Sequence, residues 1–341
     1  MTWKERRTIT ILLSILGVLC AVVLILLGMR YRENRPGPDA AGDSAADAVS
    51  AVDPNSYSAL SYFNGTATLS FTVDDGGKWI WADCPDFPLD STNLKAILDI
   101  LSNLHFQQTI TSPDSMETYQ LSQPAGTLTV SDNRGAEQTL TFGKATTDGD
   151  SRYLQRNGDE STVYIIDNAL YQHMQIPIYD MMVLPEFPDL SEKNLRSITL
   201  EFPEPQTEDE EAEAPPPAIE LTPSRSAGSS QPAVWFHGND NVTSSQSVQE
   251  LLADLAVLSF RKCIDFLPSS EAASICGFDA PEITLTVGYG EDSSLVLEIG
   301  ETPLNESGRC VRLNGESAIY LLPEESLDGL FKVAAREFDR G

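Results

Sequence analysis

Thr127-Leu128-Thr129-Val130 opens a stretch, 127–166, that the chain contains a second time at 283–322. Leu128-Thr129-Val130 recurs as Leu285-Thr286-Val287, and Thr141-Phe142-Gly143 as Glu298-Ile299-Gly300. Arg152-Tyr153-Leu154-Gln155-Arg156-Asn157-Gly158 recurs as Arg309-Cys310-Val311-Arg312-Leu313-Asn314-Gly315, and Val163-Tyr164 answers Ile319-Tyr320. A repeat of this kind decides the architecture before single elements are read, because each copy must be one supersecondary unit. Working outward, Tyr119 to Pro124 aligns with Cys276 to Pro281. After a small change of register Leu94, Ile97, Leu98, Leu101, Leu104, Phe106 and Ile110 fall opposite Val248, Leu251, Leu252, Leu255, Leu258, Phe260 and Ile264. In that register Trp81 falls opposite Trp235. The repeat thus begins before a helix and continues through four strands after it.

Leu94, Ile97, Leu98 and Leu101 follow the spacing of one apolar helical stripe. Asp90, Ser91 and Thr92 are candidate N-capping residues, as are Ser244 to Ser247 in the second copy. Past the helix the period falls to two: Leu128, Val130, Leu140 and Phe142 alternate with polar residues, as half-buried antiparallel strands do. Asn157-Gly158 and Asn314-Gly315 are hairpin turns of the kind that needs positive φ at both central residues. The expected fold class is α+β: an N-terminal transmembrane helix, then two tandem antiparallel sheets, each with one packed helix. The expected modules are 57–190 and 191–341. Within them, Leu69 to Val73 and Lys78 to Trp81 read as an opening hairpin, and Ser197 to Phe202 as the first strand of the second module. Asn168 to Met174 and Leu327 to Phe338 read as closing helices.

Residues 9–29 are apolar apart from Thr10 and Ser14, long enough to cross a hydrocarbon core of about 30 Å as a helix. Met29-Arg30-Tyr31-Arg32 follows, which suits an uncleaved anchor better than a signal peptide. Three basic residues flank each side of the span, so charge alone does not set its orientation. A long body after an N-terminal span is expected to be exported, which makes residues 1–8 a cytoplasmic N-terminus, 30–56 a disordered Ala/Gly/Pro/Asp stalk and the body extracytoplasmic at the cell membrane. The chain carries 22 basic and 51 acidic residues. Residues 1–35 hold six of the basic and two of the acidic ones, leaving the remainder at −33. Such a surface repels nucleic acid, which is excluded as a partner. Residues 203–232, with Glu208-Asp209-Glu210-Glu211 and Pro215-Pro216-Pro217, read as a disordered acidic, Pro-rich insertion at a hairpin tip, where added length costs little. Its spacing is not that of a calcium loop.

The body's cysteines are Cys84, Cys263, Cys276 and Cys310, with no CxxC pair. Cys276 and Cys310 occupy the places of Tyr119 and Tyr153 in the other copy, so small core residues are the preferred reading. Bridges Cys276–Cys310 or Cys263–Cys276 are the alternatives. His105, His173 and His237 show no metal-ligand spacing, and no GxSxG, GxxxxGK(S/T) or GxGxxG motif occurs. No catalytic, metal or cofactor-binding residue is assigned, and the expectation is a non-enzymatic protein. Trp79 and Trp81, two apart on a strand, and Trp235 are the candidate binding residues, since aromatic side chains anchor peptides and sugars. Packing between sheet and helix is the preferred role for Trp81 and Trp235.

The N-terminal anchor, Trp79-Ile80-Trp81, the Tyr119 to Pro124 and Cys276 to Pro281 steps, the Leu-Thr-Val strand pair and the Arg-Tyr-x-x-x-Asn-Gly hairpin together resemble the bacterial domain-of-unknown-function 4340 family of membrane-anchored proteins. The second copy departs from the pattern with Cys276 and Cys310 for tyrosine, the first with Gln120 and Ser122. The resemblance implies an accessory or scaffold part of an ABC-type transport system, with its permease or related envelope proteins as partners and no cofactor. The alternative expectation is a cell-surface protein that holds an envelope polymer or peptide between its modules.

Overall fold

A computed structural model describes residues 53–203, 216–225 and 232–338. The expected cytoplasmic N-terminus 1–8, anchor 9–29 and most of the stalk 30–56 lie outside the described residues. Among the described residues no helix is long and apolar enough to cross a membrane. All of them belong to one compact unit, Ala48–Gly341.

The first module contains β1 (Tyr57–Phe63), β2 (Thr68–Val73), β3 (Trp79–Trp81), α1 (Thr92–Ser102) and β4 (Gln108–Ile110). It continues with β5 (Gly126–Asp132), β6 (Glu137–Ala145), β7 (Ser151–Arg156), β8 (Val163–Asp167) and α2 (Ala169–Met174). The eight strands form one antiparallel sheet in the order β3-β2-β1-β5-β6-β7-β8-β4. The second module repeats it with β9 (Leu195–Glu201), β10 (Ile219–Ser224), β11 (Val234–His237), β12 (Asp240–Asn241), α3 (Gln246–Ala256) and β13 (Lys262–Asp265). Then come α4 (Ser270–Ile275), β14 (Ile283–Tyr289), β15 (Ser293–Ile299), β16 (Arg309–Leu313), β17 (Ile319–Leu322) and α5 (Asp328–Ala334). Its order is β12-β11-β10-β9-β14-β15-β16-β17-β13, the same arrangement with one short strand added at an edge. The duplication read from the sequence is therefore a duplication of topology, and the body is α+β.

Three expectations are corrected. Five strands, not four, follow the main helix in each copy, because the segments at Gln108 and Lys262 return to pair with β8 and β17. Each module carries more than one helix: α2 closes the first sheet, α5 closes the second, and α4 is an addition. Finally, residues 203–232 are not one disordered insertion. Within them Ile219–Ser224 forms β10, seated between β9 and β11, with Ile219 and Leu221 fully buried. Ile219 and Leu221 alternate with Glu220 and Thr222, a period of two that the flanking acids and prolines obscure. Residues 204–215 and 226–231 lie outside the described residues. β9 consequently corresponds to β1, and not to the strand at Leu69.

The main core lies between each sheet and its helices. Leu94, Ile97, Leu98 and Leu101 of α1 are buried against Leu60, Leu128, Val130, Leu140 and Phe142. Each such side chain contributes about 1.5–3 kcal/mol through burial. Val248, Leu251, Leu252 and Leu255 of α3 do the same over Leu285, Val287, Leu295 and Leu297. Of the expected capping residues, Asp90 takes the role and Ser91 and Ser245 do not. Asp90 Oδ1 accepts from the backbone and hydroxyl of Thr92, at 2.9 and 2.6 Å, while neither Ser91 nor Ser245 caps its helix through the side chain.

On the opposite face each sheet carries a small satellite core near its β4 or β13 edge. In the first module it is built from Tyr119, Leu121 and Val163 with Ile110 and Tyr153. In the second it is built from Cys276, Phe278, Cys310 and Ile319 with Ile264. These ten residues correspond pairwise across the repeat, while Met116, which also packs on the first set, has no counterpart in the second. The glycine beside each satellite core lets two strands of backbone meet. A Cβ on Gly143 would stand 2.1 Å from the Tyr119 carbonyl oxygen, and one on Gly300 would stand 2.0 Å from that of Cys276.

Candidate functional site: the tryptophan strands and the module junction

Sheet register settles how the tryptophans correspond. Leu60 pairs with Val130 and Phe71, and Phe71 pairs with Trp81. In the second sheet Ile198 pairs with Val287 and Leu221, and Leu221 pairs with His237. Since Val130 and Val287 are repeat partners, Trp81 corresponds to His237 and Trp79 to Trp235. The helix-based register had placed Trp81 opposite Trp235. It errs by two residues because the connection from β11 to α3 is shorter than the one from β3 to α1. A slip of two keeps the same face, so the pattern alone could not reveal it.

The three tryptophans do not converge. Trp235 is fully buried in the core, and its indole Nε1 donates to Glu192 Oε1 at 3.3 Å. Trp79 and Trp81 are half-buried on β3, the outermost strand of the first sheet. The Trp81 indole Nε1 is buried with no hydrogen-bond partner. His237, in the place of Trp81, stacks on Phe338 at 5.4 Å and donates from Nδ1 to the Glu220 carbonyl at 3.1 Å. His173 Nδ1 donates to Asn93 Oδ1 at 2.7 Å, and Asn93 Nδ2 donates back to the His173 carbonyl at 3.1 Å. His105 is exposed. Trp235, His173 and His237 are thus spent on holding elements together.

What Trp81 does touch is the junction between modules. It meets Phe87 edge-to-face at 5.4 Å, and Phe87 meets Phe266, just past β13 in the second module, at 5.2 Å. Tyr179, in the connection after α2, lies 6.2 Å from Phe87 and donates its hydroxyl to Asp265 Oδ1 at 2.8 Å. Burial, then the bond to the Asp265 carboxylate, push the Tyr179 hydroxyl up to about 12. A T-shaped aromatic pair adds about 0.5–1.5 kcal/mol beyond its buried area. Phe87, Tyr179, Asp265 and Phe266 were not singled out by the sequence. Each module's periodicity reports its own core and carries no signal for a contact between copies.

Beside this junction the connection Leu184 to Phe187 and the turn Leu258 to Phe260 frame an open groove of about 370 Å³. Phe187 packs on Phe260 at 4.5 Å on its floor, and Val183 and Val257 are 57% and 75% exposed nearby in sequence. Among the described residues no group of three or more His, Cys, Asp or Glu side chains could hold a metal ion.

The fold and the junction define a duplicated α+β body whose aromatic residues fasten two sheets into one core. The profile of the family described as "Domain of unknown function (DUF4340)" matches residues 51–228, the whole first module and the second as far as β10. The chain belongs to that family. No curated protein and no solved structure matches it.

Proposed function

We propose that this protein is a non-enzymatic, single-pass membrane protein whose extracytoplasmic body acts as an accessory or scaffold component of an ABC-type transport system. The observation that carries the reading is the continuity of the core. Side chains from both sheets, the Phe87–Phe266 contact and the Tyr179–Asp265 bond belong to one packed body. Such a body carries two broad sheets on one continuous core. That suits a part that props or registers a partner. In this reading the apolar segment 9–29 is the tether and the N-terminus lies on the cytoplasmic side. The partner is a transporter permease or a related envelope protein, and a body at −33 disfavours nucleic acid.

Full-length tagged protein is purified from its native membrane in mild detergent, and co-purifying proteins are identified by mass spectrometry. A chain lacking residues 1–35 is the control. Near-stoichiometric transporter subunits, lost or depleted in the control, are the expected result. Recovery of the protein alone overturns the reading.

A second reading is favoured by one specific feature, the groove of about 370 Å³ framed by Leu184 to Phe187 and Leu258 to Phe260. There the body would bind an envelope polymer or peptide. A peptidoglycan fragment or apolar peptide that raises Tm in a dose-dependent way would support it, because a ligand of the native state stabilises by mass action.

A further inference from the structure

We propose that Cys276 and Cys310 are joined by a disulfide bond that fastens α4 to the second sheet. In the structure the two are thiols, with Cys310 Sγ donating to Cys276 Sγ at 2.7 Å. That is well inside the ~3.5–4.0 Å at which unbonded side-chain atoms pack. Backbone hydrogen bonds hold them there. The Cys276 carbonyl accepts from Glu301 N at 2.8 Å, and the Glu301 carbonyl accepts from Cys310 N at 3.0 Å, so one residue clamps both cysteines. Gly300, which tolerates no Cβ against the Cys276 carbonyl, lets the two backbones come this close.

The repeat shows why a covalent link belongs at this node. Its counterpart in the first module is the Tyr119–Tyr153 pair, in contact at 4.9 Å. Two rings bury far more apolar surface than two thiols, yet the second copy must retain a longer attachment, since α4 buries none of its own residues. Ile275, at its end, is 71% exposed. What ties α4 down is Cys276 and Phe278, packed on Cys310 and Ile319. Two thiols supply little of that hold unless they are bonded.

The alternative pairing is excluded by side. Cys263 lies in the main core, donating to the Ile319 carbonyl at 3.6 Å, while its neighbour Ile264 faces the satellite core. Cys263 and Cys276 thus stand on opposite faces of the sheet. Cys84 belongs to the first module's core. Burial raises the Cys310 thiol above its ordinary value, so oxidation accompanies folding or local opening rather than attack on the closed native state.

The reaction is thiol–disulfide exchange with a small disulfide such as glutathione disulfide. One thiolate attacks it, forming a mixed disulfide and releasing one glutathione. The second thiolate displaces the other glutathione, and the two protons and two electrons leave as two glutathione thiols.

The full chain is synthesised cell-free in mild detergent with either glutathione disulfide or dithiothreitol, then unfolded, alkylated and mapped by mass spectrometry. The expected result in glutathione disulfide is one cross-linked Cys276–Cys310 peptide pair, with Cys20, Cys84 and Cys263 alkylated. The oxidised protein should melt roughly 5–10 °C above the reduced one, given a closed loop of 34 residues. Amide exchange over 270–278 should be slower in the oxidised form, and Cys310→Ala should abolish both differences. Alkylation of all five cysteines, Cys20 included, in glutathione disulfide as in dithiothreitol, or a cross-link through Cys263 or Cys84, overturns the proposal. The inference does not depend on the proposed function. Protein isolated from its native cells reduced, but oxidised in the glutathione arm, supports the cysteine pair and counts against an exported body.

Discussion

The two modules share one topology and fill its key positions with different chemistry. At the satellite core one copy places Tyr119 on Tyr153, the other Cys276 on Cys310. At the second residue of the main helix one copy buries Asn93, bonded to the His173 carbonyl. The other buries Ser247, whose hydroxyl donates to the Glu337 carbonyl at 2.7 Å. Where chemistry is retained, the job is the same. Arg152 lies 3.8 Å from the Tyr171 ring of α2 and bonds the Gly143 carbonyl. Arg309 lies 4.8 Å from the Phe331 ring of α5 and bonds the Gly300 carbonyl. The lesson is that this fold demands contacts at certain nodes and is indifferent to which side chains make them. An arginine that clamps a helix to a strand end, and a glycine under a crossing backbone, are the exceptions it keeps.

The largest expected departure from symmetry is at the tryptophans that register makes equivalent. Trp235→Ala should cost about 3–5 kcal/mol, since the ring is fully buried, whereas half-buried Trp79→Ala should cost about 1–2 kcal/mol. Urea unfolding measures both; equal losses would show that the two equivalent places do not differ in burial as described. Next come the glycines, where symmetry should hold. Gly143→Ala and Gly300→Ala should each destabilise by about 2–3 kcal/mol, because a Cβ meets a carbonyl oxygen at 2.1 or 2.0 Å. A difference above ~1 kcal/mol would show that only one crossing is tight. Replacing the clamps, Arg152→Met and Arg309→Met, should cost about 1–2 kcal/mol each through lost cation–π and carbonyl contacts.

The smallest effect concerns what joins the copies. The Tyr179 hydroxyl is raised to about 12 in the folded protein, above its ordinary value of 10.0, so the native state holds that proton where the unfolded chain has lost it. Stability from this group is complete below pH 10 and is lost as pH rises through about 12. Tyr179→Phe should lower stability at neutral pH by about 1 kcal/mol and flatten part of the decline between pH 10 and 12, read from unfolding midpoints. An unchanged alkaline slope would assign that decline to Tyr62 and Tyr320, also raised by burial.

Much of the architecture was legible because strand and helix periods are local. Leu94 to Leu101, Leu128 with Val130, and both Asn-Gly turns announce themselves within a few residues. Asn157 and Asn314 indeed adopt positive φ, and their side-chain oxygens accept from Thr139 N and Val296 N. β10 was hidden because Ile219 and Leu221 are a short apolar pair set among acids and prolines, and its partners β9 and β11 are distant in sequence. The edge strands β4 and β13 were hidden by being short and mostly unburied. Trp235 was correctly read as a packing residue but misaligned, and the aromatic junction was invisible because it joins parts of different copies.

The position of β1 has a mechanical consequence. The chain enters the described body at Tyr57, and β1 lies inside the sheet, hydrogen-bonded to β2 on one side and β5 on the other. A pull on the residues before Tyr57 therefore loads two ladders together and cannot peel an outer strand one bond at a time. If segment 9–29 is the tether, drag on the body would be borne by a strand held on both sides.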